Sequence, residues 1–121
     1  MSKYKSDDIY LERMLKACEK IKKYSSELTI EKMQERDLEF DAIAMQFQVL
    51  GENSVKVANG LDKIPNSFPE TVDWVGLKRL RDVISHGYEG LTERALFDYA
   101  KSDIINVETG IRQILKQRYG K

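Results

Sequence analysis

The chain is poor in the residues that cross-link, coordinate or interrupt. It has one cysteine and one histidine in 121 residues. A single Cys18 excludes an internal disulfide and any cysteine-based zinc site, and it fits a reduced, cytoplasmic setting. Ala17 and Glu19 flank it in a helical pattern with no histidine near, so a packed thiol is the expectation. The only prolines are Pro65 and Pro69. β-branched residues do not form alternating runs, so an all-α protein is expected. No apolar stretch approaches the length that spans a membrane. The N-terminus, Met1 to Asp8, lacks the apolar core of a signal peptide.

There is no net charge either: 20 basic side chains balance 20 acidic ones. That argues against a general nucleic-acid coat protein, whose affinity rests on phosphate neutralisation. The distribution is uneven. Residues 1–25 carry seven basic and four acidic side chains, residues 26–75 four and ten, and residues 76–121 nine and six. A local phosphate site is possible in the last segment, although a charge run is by itself an ordinary solvated surface.

The chain length suits one domain over residues 1–121, large enough for a core without disulfides. Four or five helices of an up-and-down bundle fit the patterning. The first runs from about Ser6 to Tyr24, with Ile9, Met14, Ala17, Ile21 and Tyr24 on a stripe that Leu11, Leu15 and Cys18 widen. Thr29 is positioned as an N-cap. A long helix is expected from Ile30 or Gln34 to Leu61. Leu38, Ala42, Met45, Val49, Val57 and Leu61 mark one side, and Phe40, Ile43, Phe47, Leu50 and Ser54 another. Such a helix is buried between neighbours or packs against a second subunit. Gly51 at its middle points to close helix packing. Asn59-Gly60 and the prolines mark turns. The next helix should start between Thr71 and Trp74 and end near Gly87 and Gly90. Thr92 can cap the helix that follows, and a bend near Ser102-Asp103 can split it.

The chemistry concentrates in Arg81-Asp82-Val83-Ile84-Ser85-His86-Gly87-Tyr88. Histidine titrates near neutral pH and can move protons. Arginine offers phosphate a planar fork. Together they suit metal-independent RNA cleavage: deprotonation of a ribose 2′-OH, attack on phosphorus, protonation of the departing 5′-oxygen and stabilisation of the transition-state charge. Lys78 and Arg79 are candidate substrate contacts. No cofactor is called for, and no acidic cluster has metal-ligand spacing. On an ideal helix Arg81 and His86 lie about 140° apart, so the helix must loosen before Gly87 or the arginine must reach round. Arg81 and Tyr88 share a face only if helix continues that far. One histidine cannot readily serve as acid and base in one step, and a homodimer would bring two into one cleft. The bland readings are equally concrete: His86 as a helix C-cap, Arg81 paired with Asp82 or Glu89, and Tyr88 as a core-edge aromatic.

The R-x4-H-x-Y pattern resembles the signature of the HEPN superfamily in the form seen in HepT-like toxins. Asp8 to Leu15 followed by Glu19-Lys20-Ile21 looks like the first helix of that group. Phe40-Asp41-Ala42-Ile43 leading to Val49-Leu50-Gly51-Glu52 looks like its second. Trp74, Gly76-Leu77 and Leu80 to Tyr88 look like its third. The resemblance implies a dimeric helical bundle acting as a ribonuclease toxin, with Arg81 and His86 catalytic and Asp82 supporting. It implies that an MntA-like nucleotidyltransferase antitoxin adds AMP to Tyr88. The sequence departs from the pattern at Asp82, where Asn is frequent, at Glu89, where an aromatic is, and at Met45, where an arginine is common. These departures bear on rate and RNA affinity. The alternatives are an inactive module that binds nucleotide, RNA or a partner at the same cleft, and a helical adaptor.

Overall fold

The computed structural model describes residues 6–121; the N-terminal reading for residues 1–5 lies outside the described residues. The fold is all-α, as the patterning predicts. Helix α1 spans Asp8–Ser25, α2 Ile30–Gln34, α3 Leu38–Ala58, α4 Ile64–Ser67, α5 Trp74–Ser85, α6 Glu93–Asp98 and α7 Ile104–Tyr119, with a π-helical turn over Tyr99–Asp103 between the last two. Helix α1 packs on both α3 and α7, and α5 packs on the far side of α3.

The core follows the α1 stripe. Leu11, Met14, Ala17, Cys18 and Ile21 are buried, together with Tyr10. Opposite them lie Phe40, Ile43, Phe47 and Leu50 of α3 and Ile104, Ile111 and Ile114 of α7. Burial pushes the Cys18 thiol up to about 12, so it stays protonated and acts as a small apolar group. Caps fall where the sequence places them. Thr29 accepts from the Lys32 amide at 3.2 Å and Thr92 from the Ala95 amide at 3.0 Å, and each such cap contributes about 1 kcal/mol. The expected bend at Ser102-Asp103 is the end of the π-helical turn.

The long second helix differs from expectation. It breaks at Glu35-Arg36-Asp37, where Arg36 takes a left-handed backbone with φ 49°, and it ends at Ala58 rather than Leu61. The break is held by the Arg36 side chain, which bonds the Leu91 carbonyl and Glu93 and lies over the Phe40 ring at 4.6 Å. A tertiary anchor thus overrides helix propensity. The two apolar sides of α3 also part ways. Phe40, Ile43, Phe47 and Leu50 are core, whereas Leu38 and Met45 are 73% and 54% exposed.

A polar clasp closes the chain ends. The Asp7 amide donates to Asp62 Oδ2 at 3.0 Å, and Asp7 Oδ2 accepts from the Asp62 amide at 2.9 Å. The Tyr119 hydroxyl donates to Asp62 at 2.5 Å and Arg118 lies 3.6 Å from it. The Tyr119 bond, with help from the Asp7 amide and Arg118, holds the Asp62 carboxyl below its ordinary 3.8. A depressed folded-state value stabilises above the unfolded value, and that stability is lost as pH falls through the folded one. Asp62→Asn is therefore expected to lower stability at neutral pH by about 1–3 kcal/mol. It should also flatten the acid limb of stability below about pH 4. Urea denaturation of both proteins across that range checks this; parallel acid limbs would contradict it.

Candidate active site at the end of the fifth helix

Helix α5 begins where Asp73 accepts the Gly76 amide at 3.0 Å, capping its N-terminus. Its position on α3 is set by Gly51. A Cβ added there would lie 2.4 Å from the Arg81 Cβ and 2.9 Å from the Leu77 carbonyl oxygen. Backbone of α3 and the stem of Arg81 therefore meet directly, as the mid-helix glycine suggests. Gln48, one turn before Gly51, lies 3.5 Å from the Ser85 hydroxyl and 3.2 Å from Glu52.

Arg81, Asp82 and His86 form one hydrogen-bonded unit, and Asp82 is its hub. The carboxylate of Asp82 accepts from Arg81 Nη1 at 3.0 Å. The carbonyl of Asp82 accepts the His86 backbone amide at 3.2 Å and is 2.6 Å from His86 Nδ1. A carbonyl only accepts, so Nδ1 carries the proton. In the neutral ring, Nε2 is then the basic nitrogen. His86 is exposed and is the C-cap residue of α5, so the capping reading and the motif reading describe the same side chain. Arg81 is half-buried, and its Nε is a buried donor with no partner among the described residues. Nη1 is bound to Asp82, which leaves the edge formed by Nε and Nη2 unpaired.

The chain turns sharply after His86. Gly87, Tyr88 and Gly90 have φ of 78°, 70° and 78°. Left-handed geometry is natural for glycine and strained for tyrosine. Helix therefore ends at Ser85, and Arg81 and Tyr88 do not share a helical face. Tyr88 instead packs its ring edge-on against Phe40 with centroids 5.4 Å apart. That contact joins it to the Arg36–Phe40 stack, a support the sequence reading did not identify. The only local signal was the polar run Glu35-Arg36-Asp37.

Lys78 is exposed and one turn before Arg81, on the same flank of the helix. Arg79 is not brought to the motif. It lines a cleft of about 600 Å³ with Leu80, Val83 and Tyr99, which holds none of Arg81, Asp82, His86 or Tyr88. Among the described residues no group of three or more His, Cys, Asp or Glu side chains could hold a metal ion, and no helix is long and apolar enough to cross a membrane.

Comparison with known proteins decides the family. The profile of the "Ribonuclease HepT-like" family matches residues 14–114. This chain belongs to the HepT-like ribonuclease family. The probable ribonuclease HepT of Thermococcus cleftensis is 26% identical over 108 residues, covering 88% of this chain and 94% of that one. No solved structure matched. The family match takes in every residue of the Arg81–Tyr88 unit.

Gly51 supplies a test of how the HepT-like site is positioned. Gly51→Ala puts a methyl against Arg81 and should cost about 1–3 kcal/mol of stability through overpacking. It should also broaden or shift the His86 ring resonances. A variant with unchanged stability and an unchanged histidine spectrum would show that α5 is positioned by something else.

Proposed function

We propose that the protein is a metal-independent endoribonuclease of a toxin–antitoxin pair, acting through Arg81 and His86. The observation that carries this reading is the Asp82 hub, which fixes the tautomer of an exposed histidine and holds the half-buried Arg81 guanidinium through its carboxylate. His86 Nε2 takes the proton of a ribose 2′-OH. The 2′-oxygen attacks phosphorus, the bond to the 5′-oxygen breaks, and a protonated histidine supplies the proton to that oxygen. Nη2 of Arg81, which Asp82 leaves free, holds a phosphate oxygen. Lys78, on the same flank, adds a point charge for an adjoining phosphate.

Acid and base in one step call for two histidines, and a homodimer supplies the second. The α3 stripe favours this arrangement. Leu38 and Met45 are exposed apolar residues on the flank of α3 that also carries Gln48, the residue beside Ser85 at the end of α5. A two-fold contact over that stripe brings the two motif ends towards one axis.

The partner in this reading is a nucleotidyltransferase antitoxin. The Tyr88 oxygen attacks the α-phosphorus of ATP, AMP is joined to the phenol and pyrophosphate leaves. Tyr88 follows His86 by two residues, so an added AMP brings a bulky adenosine and a negative charge close to the histidine and repels RNA phosphate.

Three outcomes follow. Cleavage of total RNA or tRNA by the purified protein should survive EDTA and leave a 2′,3′-cyclic phosphate or its opened product. Activity abolished by chelation and restored by a divalent ion would contradict the mechanism. His86→Ala and Arg81→Ala should each lose on the order of 10²–10⁴ in rate while keeping the helical spectrum; wild-type rates in both folded variants would remove the roles assigned here. With the partner, ATP and Mg²⁺, intact mass should rise by one or more AMP units in the wild type and not at all in Tyr88→Phe. Equal gains would put the modification on another residue.

A further inference from the structure

The cleft beside α5 belongs to none of this chemistry. Phe47, Leu80, Val83, Leu91, Tyr99 and Val107 form its apolar wall. It exists because α5 packs on α3 while the π-helical turn and the start of α7 stand off from its other flank. The π-helical turn carries Tyr99 and Asp103, both at the cleft, and such local widening of a helix is frequent at functional sites. A second, shallower hollow of about 460 Å³ shares Glu70, Val72 and Asp73 with the first. It runs on over Pro65, Pro69, Trp74 and Val75, of which Val75 is 66% exposed. The two make one open trough. The stretch from Gly76 to Val83 alone accounts for about 10 Å of its length at the helical rise.

Shape and charge select the occupant. An open trough that runs along α5 suits a helix laid beside it, with side chains inserted at i, i+3, i+4 and i+7. Three carboxylates, Glu70, Asp73 and Asp103, border it against one guanidinium, Arg79. An occupant with basic flanks is therefore favoured. A second copy of this chain is not: its exposed apolar stripe on α3 is bordered by Asp41 and Glu52, which bring like charge to the trough. We infer that the trough between α5 and the π-helical turn of this protein docks an amphipathic helix of a partner protein, apolar on one side and flanked by Lys or Arg. One end of the trough, at Gly90 and Leu91, is two residues past Tyr88, so the docked helix holds its protein beside the motif loop. The docking itself does not depend on nuclease activity.

Trp74 is the only tryptophan and lines the shallower hollow, so the trough carries its own reporter. The probes are two synthetic helical peptides of about 18 residues, long enough to persist as helix. Both have leucine at i, i+3, i+4 and i+7; one has lysine on the flanks and the other glutamate. The lysine peptide should give a saturable change in Trp74 fluorescence, with affinity about tenfold or more above that of the glutamate peptide, a gap that narrows with salt. Asp103→Asn, an exposed change that leaves the core intact, should weaken it several-fold. Leu80→Glu should abolish it, with circular dichroism confirming the helices. No binding by the lysine peptide, equal binding of both peptides, or unchanged affinity in both variants would overturn the inference. So would sedimentation showing a dimer of the wild type that Leu80→Glu dissociates, since the trough would then be covered by a second copy.

Discussion

Everything proposed for the motif depends on how closely α5 sits on α3, and that distance is set by one absent side chain. At Gly51 there is no Cβ, so the Leu77 carbonyl and the stem of Arg81 rest on helix backbone. The glycine weakens α3 intrinsically by about 1 kcal/mol relative to alanine. In return it fixes the level and rotation of α5. Leu77 and Ile84 then point into the core, Arg81 is half-buried at its rim, and the helix end is delivered to the surface.

From that placement the site assembles through one residue. Asp82 holds the guanidinium with its side chain and the imidazole with its carbonyl, so both groups are oriented without touching each other. The ideal-helix angle between positions 81 and 86 is not an obstacle to a shared site, because the link is backbone-mediated. An aspartate here also tempers the arginine. Its charge is partly neutralised by the Asp82 carboxylate. The departure from Asn is thus expected to act on affinity and rate, and it leaves unaffected the hydrogen bond that the Asp82 carbonyl accepts from His86.

Much of this was legible in the sequence because it is local. Period-3.6 patterning locates α1 and the apolar face of α3, Thr29 and Thr92 locate caps, and Gly51 signals close packing. What was hidden is tertiary. The break at Arg36 comes from bonds to Leu91 and Glu93, more than fifty residues away, which no window of sequence reveals. The reciprocal bonds of Asp7 and Asp62 are equally non-local. Tyr88 reads as helix-adjacent, yet its left-handed turn and Phe40 contact take it off the helical face. Arg79 reads as close to Arg81, but positions two apart on a helix diverge by about 200°, which sends it to the cleft on the other side.

The proposed chemistry rests on Asp82 fixing which ring nitrogen of His86 is free. The protein has one histidine, so its tautomer can be read from a single pair of signals. Long-range 1H–15N correlation of the neutral ring reports the tautomer directly. The bond to the Asp82 carbonyl predicts a protonated, donor-type Nδ1 and an unprotonated Nε2 in the free protein. A ring protonated at Nε2, or the near-equal exchange typical of a free histidine, would contradict it.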